Sequence, residues 1–148
     1  MLPAAITQAL TSPNPAGSVL AAALAHYGCQ AGTVHLLREG MLRLAAEINI
    51  PDQLLPMIDT VPIGKGIAGL AAERREPVSL CNLQTDTSGQ ARPAAKQTGM
   101  EGTVAVPILV DGDLRGVFGI GKTAAYDWSD AEKADLMEIA AELGRRFS

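Results

Sequence analysis

From residue 33 the side chains alternate, with Val34, Leu36 and Arg38 on one side and Thr33, His35 and Leu37 on the other. A period of two predicts a strand. Glu39-Gly40 is the turn, and residues 41–48 return as the second arm of a hairpin. The same reading gives a second hairpin from "TVAVPILV" (103–110), "DGD" and "LRGVFGIGK" (114–122). The pattern then changes to helical spacing at Leu136, Ile139, Ala140, Leu143 and Phe147, opened by the capping box Ser129-x-x-Glu132 with Asp130 in the first turn. Met137 and Ala141 widen that stripe beyond one face, so the helix is expected to touch two surfaces. Near the start, residues 3–10 suit a short helix that "TSPNPAGS" breaks, and "SVLAAALAHYG" suits a longer one with Ser18 as N-cap and Gly28 as stop.

Between the hairpins lie smaller pieces. "PDQLLPMIDT" is a short irregular helix or loop, "GIAGLAAERRE" a short helix, and "PVSLC" (77–81) a short strand. A long polar stretch, residues 82–102, comes next, with a turn or two of helix in "ARPAAKQ". A connection of that length inside a compact domain is often functional. Hairpins joining the long strands imply an antiparallel sheet, hence an α+β fold. "TVAVPILV" and "GTVHLL" are apolar on both faces. Terminal helices cover one face, and the connections 49–76 and 82–102 must cover the other. Connections lying over a sheet leave a pocket beneath them.

The 148 residues suffice for one domain with its own core, taken as 16–147 with 1–15 as an N-terminal extension. Aromatics are only 3% against 47% hydrophobic residues, so the core is aliphatic. A net charge of -4 with scattered basic residues argues against a nucleic-acid surface. No apolar run reaches the roughly 18 residues of a membrane span. The start carries no basic leader, and Met1 reads as a natural start, although the last helix is one that an output domain would continue. Two cysteines, Cys29 and Cys81, make neither a disulfide framework nor a metal cluster, and lone thiols fit a reducing cytoplasm.

One motif raises a sharper question. Gly64-Lys65-Gly66-Ile67-Ala68-Gly69 satisfies the G-x-G-x-x-G pattern, and Asp86 lies roughly 20 residues on, where a dinucleotide site wants an acid. That fingerprint must follow a buried parallel strand and open a crossover helix. Here Pro56 and Pro62 precede it, the helix is short, and the next strand leads into a polar stretch. The structural alternative is that Gly64 and Gly66 turn the chain while Gly69 lets a helix approach the sheet.

The stretches "VPIGKGIAGLAAERREPVSLCNLQTD", "GTVAVPILVDGDLRGVFGIGK" and "WSDAEKADLMEIAAELG" resemble the GAF domain in residues and in order, over roughly residues 16–147. The resemblance implies an antiparallel sheet of five or six strands, with terminal helices on one face and a lidded ligand pocket on the other. It also implies a bacterial-type sensory or regulatory module, without enzymatic activity, that binds an unidentified small molecule and signals through its terminal helices (18–27 and 129–147) as a homodimer. The specialised members of the family fit less well. The cyclic-nucleotide signature is not traceable, residues 82–102 hold no bilin-linking Cys, and a haem ligand would have to be His26 or His35. The cofactor is left open. Free methionine-(R)-sulfoxide reductase shares the fold but uses cysteines around the lid, and only Cys81 stands at its edge. A ligand-free dimerisation scaffold is the third alternative. Asn82 or Leu83 where an Asp is common, and Gly102-Thr103 where Arg-Ser often occurs, bear on what fills the pocket.

Strand alternation and the resemblance together give candidate contacts. Thr33 and His35 share a face that points into the pocket in the family; otherwise His35 is a polar residue satisfied at a sheet margin. Lys65, at the mouth of a helix N-terminus, suits an anion or is simply solvated. Ile67, Ala68, Ala46, Ile48 and Met100 match residues that line the family's pocket, and Gly119 stands where some members place a polar side chain. Cys81 either touches the ligand or senses oxidants, or is a small buried hydrophobe. Arg92 and Lys96 are candidates to close on an anion. His26 reads as a residue of a helix C-terminus, and Cys29 carries no role. Asp111 and Asp113 read as turn chemistry, and Glu132, Glu138 and Glu142 as a solvated helix face.

Overall fold

The computed structural model describes residues 2–88 and 93–147. Ala91 and Arg92, the first two residues of "ARPAAKQ", lie outside that set, as do Met1, Gly89, Gln90 and Ser148. Six strands form one sheet in the order β3-β2-β1-β6-β5-β4, with every neighbouring pair antiparallel. The strands are β1 (Ala31–Arg38), β2 (Met41–Ile48), β3 (Thr60–Pro62), β4 (Val78–Leu80), β5 (Gly102–Val110) and β6 (Asp113–Lys122). Both hairpin turns, Glu39-Gly40 and Asp111-Gly112, take positive φ at both residues, the geometry that matches strand twist. β3 is a short edge strand beside β2; Pro62 at its end is tolerated there because an edge leaves N–H positions unused.

One face of the sheet carries the helices α1 (Ala4–Ala9), α2 (Pro15–Tyr27) and α6 (Asp130–Gly144). Val34, Val104, Val106, Ile108, Phe118 and Ile120 meet Val19, Leu20, Leu136, Ile139 and Leu143 in one buried cluster. The start of the chain is part of it: Ile6 is fully buried and Leu10 nearly so. Met137 packs against this same cluster, so part of the wide stripe on α6 is covered within the chain. α2 begins earlier than expected. Asn14, not Ser18, is the N-cap, its side chain accepting from the Gly17 N–H, with Pro15 in the first turn where its missing donor costs nothing. The Ser18 hydroxyl instead pairs with Ser12 at 2.7 Å. Gly28 ends the helix in the left-handed conformation, as expected. The capping box at Ser129 and Glu132 forms with both of its hydrogen bonds.

The other face is covered by connections. α3 (Leu55–Ile58), α4 (Gly66–Arg74) and α5 (Pro93–Lys96) lie in them. α4 starts beside one edge strand, ends beside the other, and packs on β5 and β6 between. Its core is small: Ala71, Ala72, Ala105, Val117, Val61, Val78 and Leu42. Glycines set two close approaches. A Cβ on Gly69 would lie 2.5 Å from the Pro62 carbonyl oxygen. One on Gly116 would overlap the carbonyl oxygen of His35, on the neighbouring strand.

Gly116→Ala should therefore cost about 1–3 kcal/mol by forcing strands apart. Gly119→Ala, whose Cβ would meet nothing nearer than 3.6 Å, should cost less than about 1 kcal/mol. Urea denaturation of the two variants measures the difference.

Candidate ligand cavity

Between the sheet and its connections lies a cavity of about 150 Å³. Its floor is Thr33 and His35 of β1, Gly119 and Gly121 of β6, and Thr103 and Ala105 of β5. The strands pair Thr103 with Gly121 and Ala105 with Gly119, which sets four small side chains side by side. The roof comes from Ile50, Ile58 and Val61, from the start of α4, and from Leu83, Ala95, Thr98 and Met100 of the lid. Space opens because the floor has nothing large to fill it.

His35 is 3% exposed. Its Nε2 lies 2.8 Å from the carbonyl oxygen of Ile58, which can only accept, so Nε2 carries the proton. This bond ties β1 to the roof. Among the described residues Nδ1 of the neutral ring, a buried acceptor, has no partner, and neither has the Thr103 hydroxyl, on a residue only 6% exposed. An unpaired buried polar atom costs about 1–3 kcal/mol. Burial pushes the His35 pKa below its ordinary 6.5, with the bond to Ile58 offsetting part of that.

The G-x-G turn delivers α4 to the cavity. Gly64 and Gly66 both hold positive φ, and the Gly64 N–H donates to the Gly69 carbonyl at 2.8 Å. No side chain caps α4, so the start of the helix, with Gly66, Ile67 and Ala68, meets the cavity without a capping group. Lys65 stands exposed at the rim.

Of the ten candidate contacts, Thr33, His35, Lys65, Ile67, Ala68, Met100 and Gly119 surround this cavity. Ala46, Ile48 and Cys81 do not. Val34 pairs with Ala46 but His35 pairs with Leu44, leaving Ala45 as an extra residue in β2. That bulge reverses the facing of the residues beyond it. Leu42 joins the lid-side cluster, whereas Ala46 and Ile48 pack on the helix-side cluster. Cys81 is exposed, and its carbonyl accepts from the Tyr126 N–H at 2.9 Å. It is neither a cavity residue nor a buried hydrophobe. Cys29 lies in the helix-side cluster, its thiol pKa pushed up to about 11 by burial, which Lys122 only partly offsets. Lys96 donates to the Asp86 carbonyl at 2.8 Å and so holds the lid to itself. His26 is exposed at the end of α2, edge-on to Tyr27. Among the described residues no group of three or more His, Cys, Asp or Glu could hold a metal ion, and no helix is long and apolar enough to cross a membrane. Sequence reasoning missed Gly121 and Thr98, and Leu83 and Thr103 drew notice only as departures from the family pattern. Strand alternation through Ala105 and Gly119 was the signal for Thr103 and Gly121.

A lidded antiparallel sheet backed by its terminal helices, with an apolar cavity under the lid, defines an α+β domain. The GAF domain model matches residues 16–145, and the chain belongs to the GAF domain family. Among solved structures it is similar to the GAF domain of a phosphoenolpyruvate-protein phosphotransferase from Coxiella burnetii, at 22% identity and a TM-score of 0.80, covering 96% of this chain and 88% of that one. It is also similar to free methionine-R-sulfoxide reductase from Neisseria meningitidis, solved with its substrate, at 17% identity and a TM-score of 0.76, covering 96% and 83%. The nlh2 GAF domain from A. aeolicus, in an inactive state, is 22% identical with a TM-score of 0.73, covering 96% and 90%. No curated protein matches the sequence.

Because the folded-state pKa of His35 lies below the unfolded value, the unfolded chain binds the extra proton first. The stability that His35 contributes is full above about pH 6.5 and falls as the pH drops below it. Urea titrations from pH 7.5 to pH 5 should show a steeper loss for the wild type than for His35→Gln.

Proposed function

We propose that this chain is a sensory domain that binds a small molecule in the cavity between sheet and lid and carries no catalysis of its own. The observation that carries this reading is the cavity itself, apolar and partly covered by the lid, with two buried side chains, His35 and Thr103, each holding a polar atom that no described residue pairs. Such atoms ordinarily find a partner in a ligand or an ordered water. The volume bounds the ligand. An apolar cavity of about 150 Å³ holds a benzene-sized molecule, so the buried part of the ligand is expected to be on that scale. An acidic group on the ligand would be favoured at the start of α4 and beside Lys65.

Ligand-driven ordering of the lid would reach the terminal helices, and pairing through those helices in a homodimer belongs to the same reading. Sedimentation velocity tests the pairing, and a monomer at tens of micromolar would count against it. The likeness to a methionine sulfoxide reductase supplies the enzymatic alternative. Against that alternative, both thiols lie outside the cavity lining. The wild type should not turn over free methionine-R-sulfoxide with dithiothreitol as reductant; turnover lost in Cys81→Ser would establish the reductase instead.

Native mass spectrometry of the gently purified protein should show an added small mass. Gly119→Val, whose Cβ would meet nothing nearer than 3.6 Å on the cavity floor, should keep the fold by circular dichroism and lose that mass. Retention of the same mass by the variant would place the ligand elsewhere.

A further inference from the structure

At the other end of β1 and β6 from the cavity, an open groove of about 690 Å³ is lined by three arginines, Arg38, Arg75 and Arg115, against one acid, Asp113. The chain has 12 Lys and Arg in all and a net charge of -4, so this concentration runs against its general balance. None of the three is neutralised by a described residue. The one ion pair among the described residues joins Arg145 to Glu142. Each of two guanidiniums is held by a backbone carbonyl: Arg38 donates to Leu37 at 2.9 Å, and Arg75 donates to Gly112 across the hairpin turn. These bonds fix direction without cancelling charge. Arg75 caps α4 in the left-handed conformation, rare for a residue with a Cβ, which turns the chain at this point. Arg115 is the extra residue of a second bulge, since Ile108 pairs with Gly116 but Leu109 with Leu114. Bulges re-aim side chains. Its Nε is buried and has no partner among the described residues.

The rest of the lining is apolar. Ile63, one of only two large hydrophobic residues left exposed among the described residues, lies here at 38% exposure, beside Leu114 and Phe147. Arginines next to an exposed aliphatic and an aromatic side chain make the mixture found at protein-recognition sites. Three like charges set against one acid raise the energy of the free surface and favour whatever brings carboxylates to it. A free phosphate has no use for the apolar part. A nucleic acid calls for a longer basic track, on a chain without this net negative charge.

We propose that this groove docks an acidic peptide segment of a partner protein, its carboxylates on Arg75 and Arg115 and an apolar side chain on Ile63 and Phe147. The proposal is independent of what the cavity binds.

The test is fluorescence anisotropy of a short fluorescein-labelled peptide of alternating Glu and Leu, titrated with the full chain. Saturable binding is expected, weakened by added salt, absent for the matching Gln and Leu peptide, and reduced about tenfold in Arg75→Gln and in Ile63→Ser. Arg75 and Ile63 are exposed, so both variants should fold, and circular dichroism checks this. Arg38→Gln supplies a further exposed position should either fail. No binding by the wild type, equal binding of the Gln peptide, or binding unchanged in the folded variants would each overturn the proposal. A labelled DNA duplex bound as tightly as the peptide would also overturn it, by assigning the groove to polyanions in general.

Discussion

The structure depends on a sheet that is apolar on both faces. In β5 every residue but Leu109 is buried, so neither side can be left to water. Each buried aliphatic side chain contributes about 1.5–3 kcal/mol, and that gain is available only if something covers it. The two faces are covered by different means. Helices bring long side chains, and Ile6, Leu20, Leu136, Ile139 and Leu143 interdigitate with Phe118 and Ile108. The lid side brings an alanine-rich helix and loops onto a floor of Thr103, Ala105, Gly119 and Gly121. Small residues facing small residues allow α4 to come near but leave a gap toward its first turn. The cavity is thus the consequence of closing a sheet with connections rather than with packed helices.

The lid and the helices are not mechanically separate. The Leu83 N–H donates to the Glu101 carbonyl and the Glu101 N–H to Lys122, which joins the lid's two ends to β6. Lys122 Nζ donates to the Tyr27 carbonyl at the end of α2 and sits 4.2 Å from the centre of the Tyr126 ring. The Tyr126 N–H reaches back to the Cys81 carbonyl, while its hydroxyl donates to Glu132 at 2.6 Å, inside the capping box of α6. The chain has two tyrosines and one tryptophan, and all three meet at this point. A displacement of either lid flank therefore has a short hydrogen-bonded route to both terminal helices. This gives the proposed sensory role a physical connection through named residues, independent of any ligand's identity.

Much of this is legible in the sequence, and the failures have physical causes. The hairpins, the α6 capping box and the Gly28 stop are readable because each rests on a local rule. The start of α2 is misplaced when Pro15 is read as a breaker, although in the first turn it is preorganised for a helix. Ala46 and Ile48 look like cavity residues because Leu42, Leu44, Ala46 and Ile48 keep perfect alternation on paper. The extra residue at Ala45 leaves no mark in that pattern, since alanine suits either face. Cys81 is neither in the cavity lining nor the small buried hydrophobe of its other reading, because its exposure depends on how the lid flank leaves β4, a tertiary property. The lone arginines of the groove are spread from residue 38 to residue 115 and are joined only by the fold.

The Gly64–Gly69 motif shows what a short pattern does and does not carry. In a dinucleotide fold the glycines turn a parallel strand into a helix and let backbone N–H groups reach a pyrophosphate. Here β3 is an antiparallel edge strand of three residues, and the helix crosses to the far edge of the sheet instead of packing back onto a parallel neighbour. The local physics is nonetheless shared: two glycines at positive φ, a third admitting a close backbone approach, and an uncapped helix start facing a ligand-sized space. The pattern specifies that turn and that helix start. What it leaves open is the space beside that helix start, and that is shaped by residues far away in the chain, Thr33, Thr103 and Gly119, whose small size makes room for it.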